Sequence, residues 1–181
     1  MRLTKLGIGL CLLAMSLTSH ASVFRSSSPP REGVDYHLVS QPEASPGQNA
    51  GKIEVLEFFY FGCQACRRMD PVIRSWASEH KGAVSLRRVP VIFSSILAPH
   101  MALYSALEAL GVADVCTPRI FEEVQDRRNY LVLPETQKRF VSGYGVPAQR
   151  FEQAVTSDAT KKAVESNIRL ARHYQIGAWT R

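Results

Sequence analysis

Cysteine is scarce in this chain, with four in 181 residues, and tryptophan scarcer, with two. Four are too few for the disulfide framework of a small secreted scaffold. Only one pair is closely spaced and the histidines are scattered, so the four ligands of a zinc centre are not assembled. No segment repeats at a fixed period, which argues against a solenoid. No apolar run reaches the roughly 20 residues of a spanning helix. The arginine pairs at 67–68, 87–88 and 127–128 are isolated, and no basic patch with interleaved aromatics marks a nucleic-acid surface.

What is present begins with an export signal. Arg2 and Lys5 precede the apolar stretch "LGIGLCLLAMSL", and "SHA" offers a small-x-small cleavage site before Ser22. Lipid attachment at Cys11 is disfavoured by the "IGL" before it. Cleavage after residue 21 takes two of the 22 basic residues and no acidic one, leaving 20 against 16. The mature chain then keeps Cys63, Cys66 and Cys116, an awkward number for an exported protein. One close pair and one spare point to a working disulfide.

Residues 22–34 are Ser- and Pro-rich and read as a flexible leading segment. "DYHLVS", Asp35–Ser40, is a short strand candidate. "KIEVLEFFYF", Lys52–Phe61, is apolar on both alternating faces, as a strand covered on both sides should be. From Cys63 to about His80 apolar residues recur at helical steps, with Pro71 expected to bend the helix. Ala83–Phe93 is the next strand. Helices are then expected over 98–110, 118–128, 134–143, 147–155 and 158–175, with Ser157 or Asp158 capping the last. The fold class expected is α/β: residues 35–97 in a sheet domain, a helical insertion over 98–157, and a long helix returning from 158.

The chemistry concentrates in "VLEFFYFGCQACRRM". Two cysteines spaced C-x-x-C at a helix start lie one turn apart, about 5–6 Å between Cα atoms, inside the range of a disulfide. Cys63, at the amino end, faces free N–H groups and the positive end of the helix dipole, so its thiol should ionise near neutral pH. Cys66, a turn deeper, should be less reactive. A substrate thiolate would attack at Cys63, with Cys66 leaving and later resolving. Glu57 admits two readings. It is an ordinary solvated strand residue, or an unpaired buried acid with a raised pKa, placed to exchange the proton of Cys66. Cys116 is expected as a buried small hydrophobe. Arg67 and Arg68 are expected in solvent, where one adds to the positive field on Cys63.

At these residues the chain resembles the periplasmic thiol:disulfide interchange protein family DsbA, a thioredoxin-like fold with an inserted helical domain. "KIEVLEFFYFGCQAC" is similar to its active-site strand and helix start, and "ALEALGVADVCTPRIFEEVQ" to its helical insertion. The resemblance implies Cys63 as nucleophile, Cys66 as its partner and Glu57 as the buried proton-handling acid. It further implies a periplasmic monomer without cofactor or metal. Its substrates would be reduced exported proteins, and a quinone-linked membrane partner, DsbB, would reoxidise it. Two departures alter these expectations. The family places Pro-His between its cysteines; Gln64-Ala65 stand here, which predicts a weaker oxidant. The family also continues past the last helix with a cis-proline loop, two strands and a closing helix. This chain reads "YQIGAWTR" there, and a reading-frame change is the expected cause. Without those elements, strand 52–61 would be left as an open edge, and a non-catalytic remnant stands as one alternative reading. An isomerase or reductase of the same fold is the other.

Overall fold

A computed structural model describes residues 28–43 and 51–176; the expected export signal, residues 44–50 and the last five residues fall outside them. The chain divides into two compact units, Met1–Gln41 and Pro42–Arg181. In the first, the amide of Arg31 donates to the Asp35 carboxylate at 2.9 Å, and Glu32 and Tyr36 form an isolated bridge. The strand expected over Asp35–Ser40 is not formed. Val34, Tyr36, Leu38 and Val39 are exposed. A strand holds only where its backbone is paired and its apolar side chains are covered, and here a local turn takes the hydrogen bonds instead.

The second unit runs β1 (Ile53–Phe59), α1 (Gln64–Glu79), β2 (Val84–Pro90), a 3-10 turn at Ser95–Leu97, α2 (Pro99–Ala109), α3 (Ala113–Gln125), α4 (Pro134–Ser142), α5 (Ala148–Thr156) and α6 (Asp158–His173). β1 and β2 pair in parallel, with Glu57 opposite Arg88 and Phe58 opposite Val89. Parallel neighbours need a crossover, and α1 supplies it. Because strand side chains alternate, each face of the pair meets a different layer. Phe59 enters a large core with Phe61, Leu103, Ile120, Phe121 and Phe151, built mostly from α2 to α5. Leu56, Phe58 and Val89 meet Leu170 and Ala171 of α6.

α2 is buried nearly all round, and it packs against α3, α5, α6 and β2. A helix apolar on every side belongs at the centre of a bundle. Pro99 and Pro134 stand at the first positions of α2 and α4, where a missing N–H costs nothing. α3 corrects the expected boundary: it starts at Ala113 rather than 118 and carries Pro118 inside. A proline there strips the carbonyl four residues earlier of its partner. That carbonyl belongs to Asp114, and Arg74 of α1 donates to it at 3.0 Å. The bond lost within α3 is thus replaced by one that ties it to α1.

Candidate active site

The turn between β1 and α1 carries the cysteines. A Cβ at Gly62 would come within 2.7 Å of the Tyr60 ring and 3.1 Å of Leu97, so a larger residue there would have to displace those side chains. The Cys63 amide donates to the Tyr60 carbonyl at 3.0 Å, which closes the turn. Cys63 is then the N-cap of α1, with extended backbone, and its sulfur accepts the Cys66 N–H at 3.0 Å. A thiol therefore occupies the position where serine or aspartate ordinarily satisfies a free helix amide. No acidic residue lies in the first turn of α1, so nothing there offsets the positive end of the helix. Cys63 and Cys66 form a disulfide with 5.2 Å between Cα atoms. Cys66 rests against the large core, while Gln64 and Ala65 between the two are exposed. Cys116 is free and fully buried, and burial pushes its thiol up to about 11.

Glu57 lies two residues before Phe59 on the same face of β1, the face of the core that Cys66 touches. It is neither solvated nor alone. Arg88 of β2 donates to it from Nε at 2.5 Å and reaches Asp70 of α1 with Nη1 at 2.9 Å. Arg74 approaches the same Asp70 at 3.3 Å. The Arg88 guanidinium also stands 4.6 Å above the Phe59 ring. Burial works against the Arg88 charge, but the Glu57 hydrogen bond and the carboxylates around it outweigh that, and its pKa is raised. The expected lone acid is thus one member of a buried ion cluster, and the premise of an unpaired carboxylate falls. Sequence reasoning misses Arg88 and Asp70. A buried strand acid calls for a cation in the neighbouring strand, but "LRRVPV" holds two, and only the strand register selects Arg88. Among the described residues neither Arg88 amino nitrogen makes a hydrogen bond, although Nη1 lies 2.9 Å from the Asp70 carboxylate. Arg88 also lines a recess of about 530 Å³.

The helical layer reaches back to the cysteines through the end of α3. Gln125 donates from Nε2 to the Phe61 carbonyl at 2.8 Å and to the Cys63 carbonyl at 3.0 Å. The next residue, Asp126, takes both Arg67 amino groups at 2.6 Å. Arg67 is therefore paired rather than free in solvent; the hydrogen bond raises its pKa and lowers that of Asp126. Arg68 is exposed. Among the described residues no group of histidine, cysteine and acidic side chains is arranged to hold a metal ion, and no helix is long and apolar enough to cross a membrane.

No protein-family model matches the chain. It is 33% identical over 168 residues to the thiol:disulfide interchange protein DsbA of Burkholderia cepacia, covering 92% of this chain and 79% of that protein. It is 34% identical over 172 residues to the DsbA of Azotobacter vinelandii, covering 95% and 80%. Among solved structures, Pseudomonas aeruginosa DsbA superposes with a TM-score of 0.69 at 31% identity, over 78% of this chain and 72% of that one. A reduced DsbA1 from Neisseria meningitidis does so at 0.69 and 26% identity, over 83% and 79%. With a thioredoxin-like α/β fold, a helical insertion and a C-x-x-C disulfide at the start of α1, this chain belongs to the DsbA family of thiol:disulfide oxidoreductases.

Proposed function

We propose that the chain is an exported thiol oxidase of the periplasm, which donates its Cys63–Cys66 disulfide to reduced proteins as they fold. A substrate thiolate attacks the Cys63 sulfur. The intramolecular S–S bond breaks, its electron pair stays on Cys66, and Cys66 takes up a proton. A second substrate thiolate then attacks the substrate sulfur of the mixed disulfide and expels Cys63 as a thiolate. The substrate leaves oxidised by two electrons and the protein is reduced by two. A membrane reoxidase of the DsbB kind, linked to quinone, takes those electrons. Glu57, held in place by Arg88, exchanges the proton of Cys66 through the shared core face.

The observation that carries this reading is the sulfur of Cys63 in the N-cap position, accepting an amide of a helix whose first turn contains no acidic residue. An anion is stabilised there, which favours the dithiol form and so makes the disulfide an oxidant. Gln64 and Ala65 supply no imidazole to add to that field, so the oxidising power falls below that of Pro-His members. The test is an ultraviolet titration of the thiolate in reduced protein, joined to oxidation of a two-cysteine peptide. Cys63 is expected to titrate at least one unit below the roughly 8.5 of a free cysteine. Cys63→Ser should abolish peptide oxidation, and Cys66→Ser should accumulate the mixed disulfide. A Cys63 thiol that titrates like free cysteine overturns the proposal.

A further inference from the structure

Both peptide carbonyls that flank the redox turn, those of Phe61 and Cys63, are held by one side chain, and it comes from the helical insertion. We infer that Gln125 is a positioning residue for the redox site, acting on the acidity of Cys63 without touching its sulfur. The inference rests on the reading of Cys63 as the nucleophile.

The geometry leaves the carboxamide one sensible orientation. Two carbonyl oxygens lie at 2.8 and 3.0 Å from Nε2, and a flipped amide would put its own oxygen against both. The Cys63 carbonyl already accepts the Arg67 N–H at 3.1 Å, the first bond of α1. Gln125 adds a second donor to that oxygen, and carbonyl oxygens have two lone pairs to use. Gln125 itself is half-buried at the last position of α3, so its reach is set by the packing of that helix.

Two consequences for the sulfur point the same way. Pinning the carbonyls of residues 61 and 63 fixes the rotation of the 61–62 peptide unit, just before Gly62, and of the 63–64 unit that follows Cys63. The turn is then held with the Cys66 N–H on the sulfur, at 3.0 Å. The carbonyl oxygens are also the negative ends of the nearest dipoles. A donor placed on them draws their field away from a developing thiolate. Asp126 strengthens the same attachment, because its pair with Arg67 joins the end of α3 to the first turn of α1. The insertion is therefore part of the machinery that sets Cys63 acidity.

The experiment compares Gln125→Met, which keeps the length and loses the donor, with Gln125→Glu, which sets carboxylate oxygens against the two carbonyls. Gln137→Met is the control: Gln137 is a buried insertion glutamine that donates to the Leu131 carbonyl at 2.8 Å, away from the cysteines. The readouts are the Cys63 titration and the equilibrium with glutathione. Cys116, titrating near 11, stays silent over the working range. Gln125→Met is expected to raise the Cys63 pKa by about half a unit to one unit, the worth of one hydrogen bond. The glutathione equilibrium should shift about three- to tenfold toward the disulfide form. Gln125→Glu should raise the pKa further above neutral pH, and Gln137→Met should leave it in place while lowering stability. A wild-type Cys63 that is already ordinary overturns the proposed function and this inference together. A low wild-type value that Gln125→Met and Gln125→Glu leave unchanged, or that Gln137→Met moves as far, overturns this inference alone.

Discussion

Arg88 shows how much a single buried side chain arranges. Its guanidinium is 5% exposed and joins Glu57 of β1 to Asp70 of α1, whose side chains are 10% and 2% exposed. The cluster therefore crosslinks strand, strand and crossover helix. Burying such charges gains little over an apolar core, but removing one partner leaves the others uncompensated. Arg88→Met is expected to destabilise the protein by about 3–5 kcal/mol, because buried Glu57 loses its cation and Asp70 is left with Arg74 alone. Adding Glu57→Gln should recover part of that loss. Urea unfolding of the three proteins checks both statements, and a double variant no better than the single would show that the two residues do not act as a pair. At this scale the sequence was legible in parts. C-x-x-C at a helix start announces its chemistry through spacing, and Glu57 stands out against Phe58 and Phe59. Its partner does not, because pairing depends on strand register, and no local signal sets Glu57 opposite Arg88.

At the scale of elements, α2 shows what local pattern predicts and what it omits. Its apolar character and Pro99 foretell a buried helix, and it forms within a residue of where it was expected. Its polar residues tell nothing until their surroundings are known. His100 is buried, Nε2 meets the Tyr130 carbonyl at 2.6 Å, and burial lowers its pKa despite that carbonyl. Glu108, at the other end, has its pKa pushed up to about 7 by desolvation of its carboxyl group, against a hydrogen bond from Tyr104. The two give opposite slopes. Below its ordinary 6.5, His100 binds fewer protons folded than unfolded, so stability falls as pH drops through that value toward the lowered one. Glu108 binds more protons folded, so stability falls as pH rises from 4.5 to about 7. In the wild type the two slopes oppose each other. His100→Gln should lose stability steadily with rising pH, and Glu108→Gln should gain it. Denaturant midpoints across that range decide the matter, and parallel profiles for all three would refute the assignment. The start of α3 was misplaced for a related reason. Pro118 reads locally as a first-turn residue, and the distant Arg74, which donates to the Asp114 carbonyl that Pro118 leaves without a partner, is not visible in the local pattern.

For the molecule as a whole, the order strand, helix, strand and helical block was legible because period-two and helical apolar patterns are written along the chain. The failure at Asp35–Ser40 has the opposite origin, since a strand's existence depends on a partner that no local pattern supplies. Oxidation state is a property of this same scale, because it couples the redox turn to the entire folding equilibrium. Unfolded, Cys63 is an ordinary thiol. Folded, its sulfur takes the Cys66 amide at the unopposed end of α1. Each unit by which the folded protein lowers that pKa adds about 1.4 kcal/mol to the stability of the reduced form above the unfolded pKa. The disulfide joins cysteines only three positions apart, so loop closure gives the oxidised form about 2 kcal/mol, which a shift of about one and a half units offsets. A larger shift tips the balance to the reduced protein. Its melting temperature at pH 8 should exceed that of the oxidised protein by several degrees, at about 2–4 °C per kcal/mol for a chain of this size. The gap should close as pH falls below the Cys63 pKa, where the thiolate is lost and with it the source of the difference. Scanning calorimetry of both forms at pH 8 and pH 4 tests this directly. An oxidised form that melts higher at both would mean the disulfide is structural, and that the amides at the head of α1 do not hold an anion.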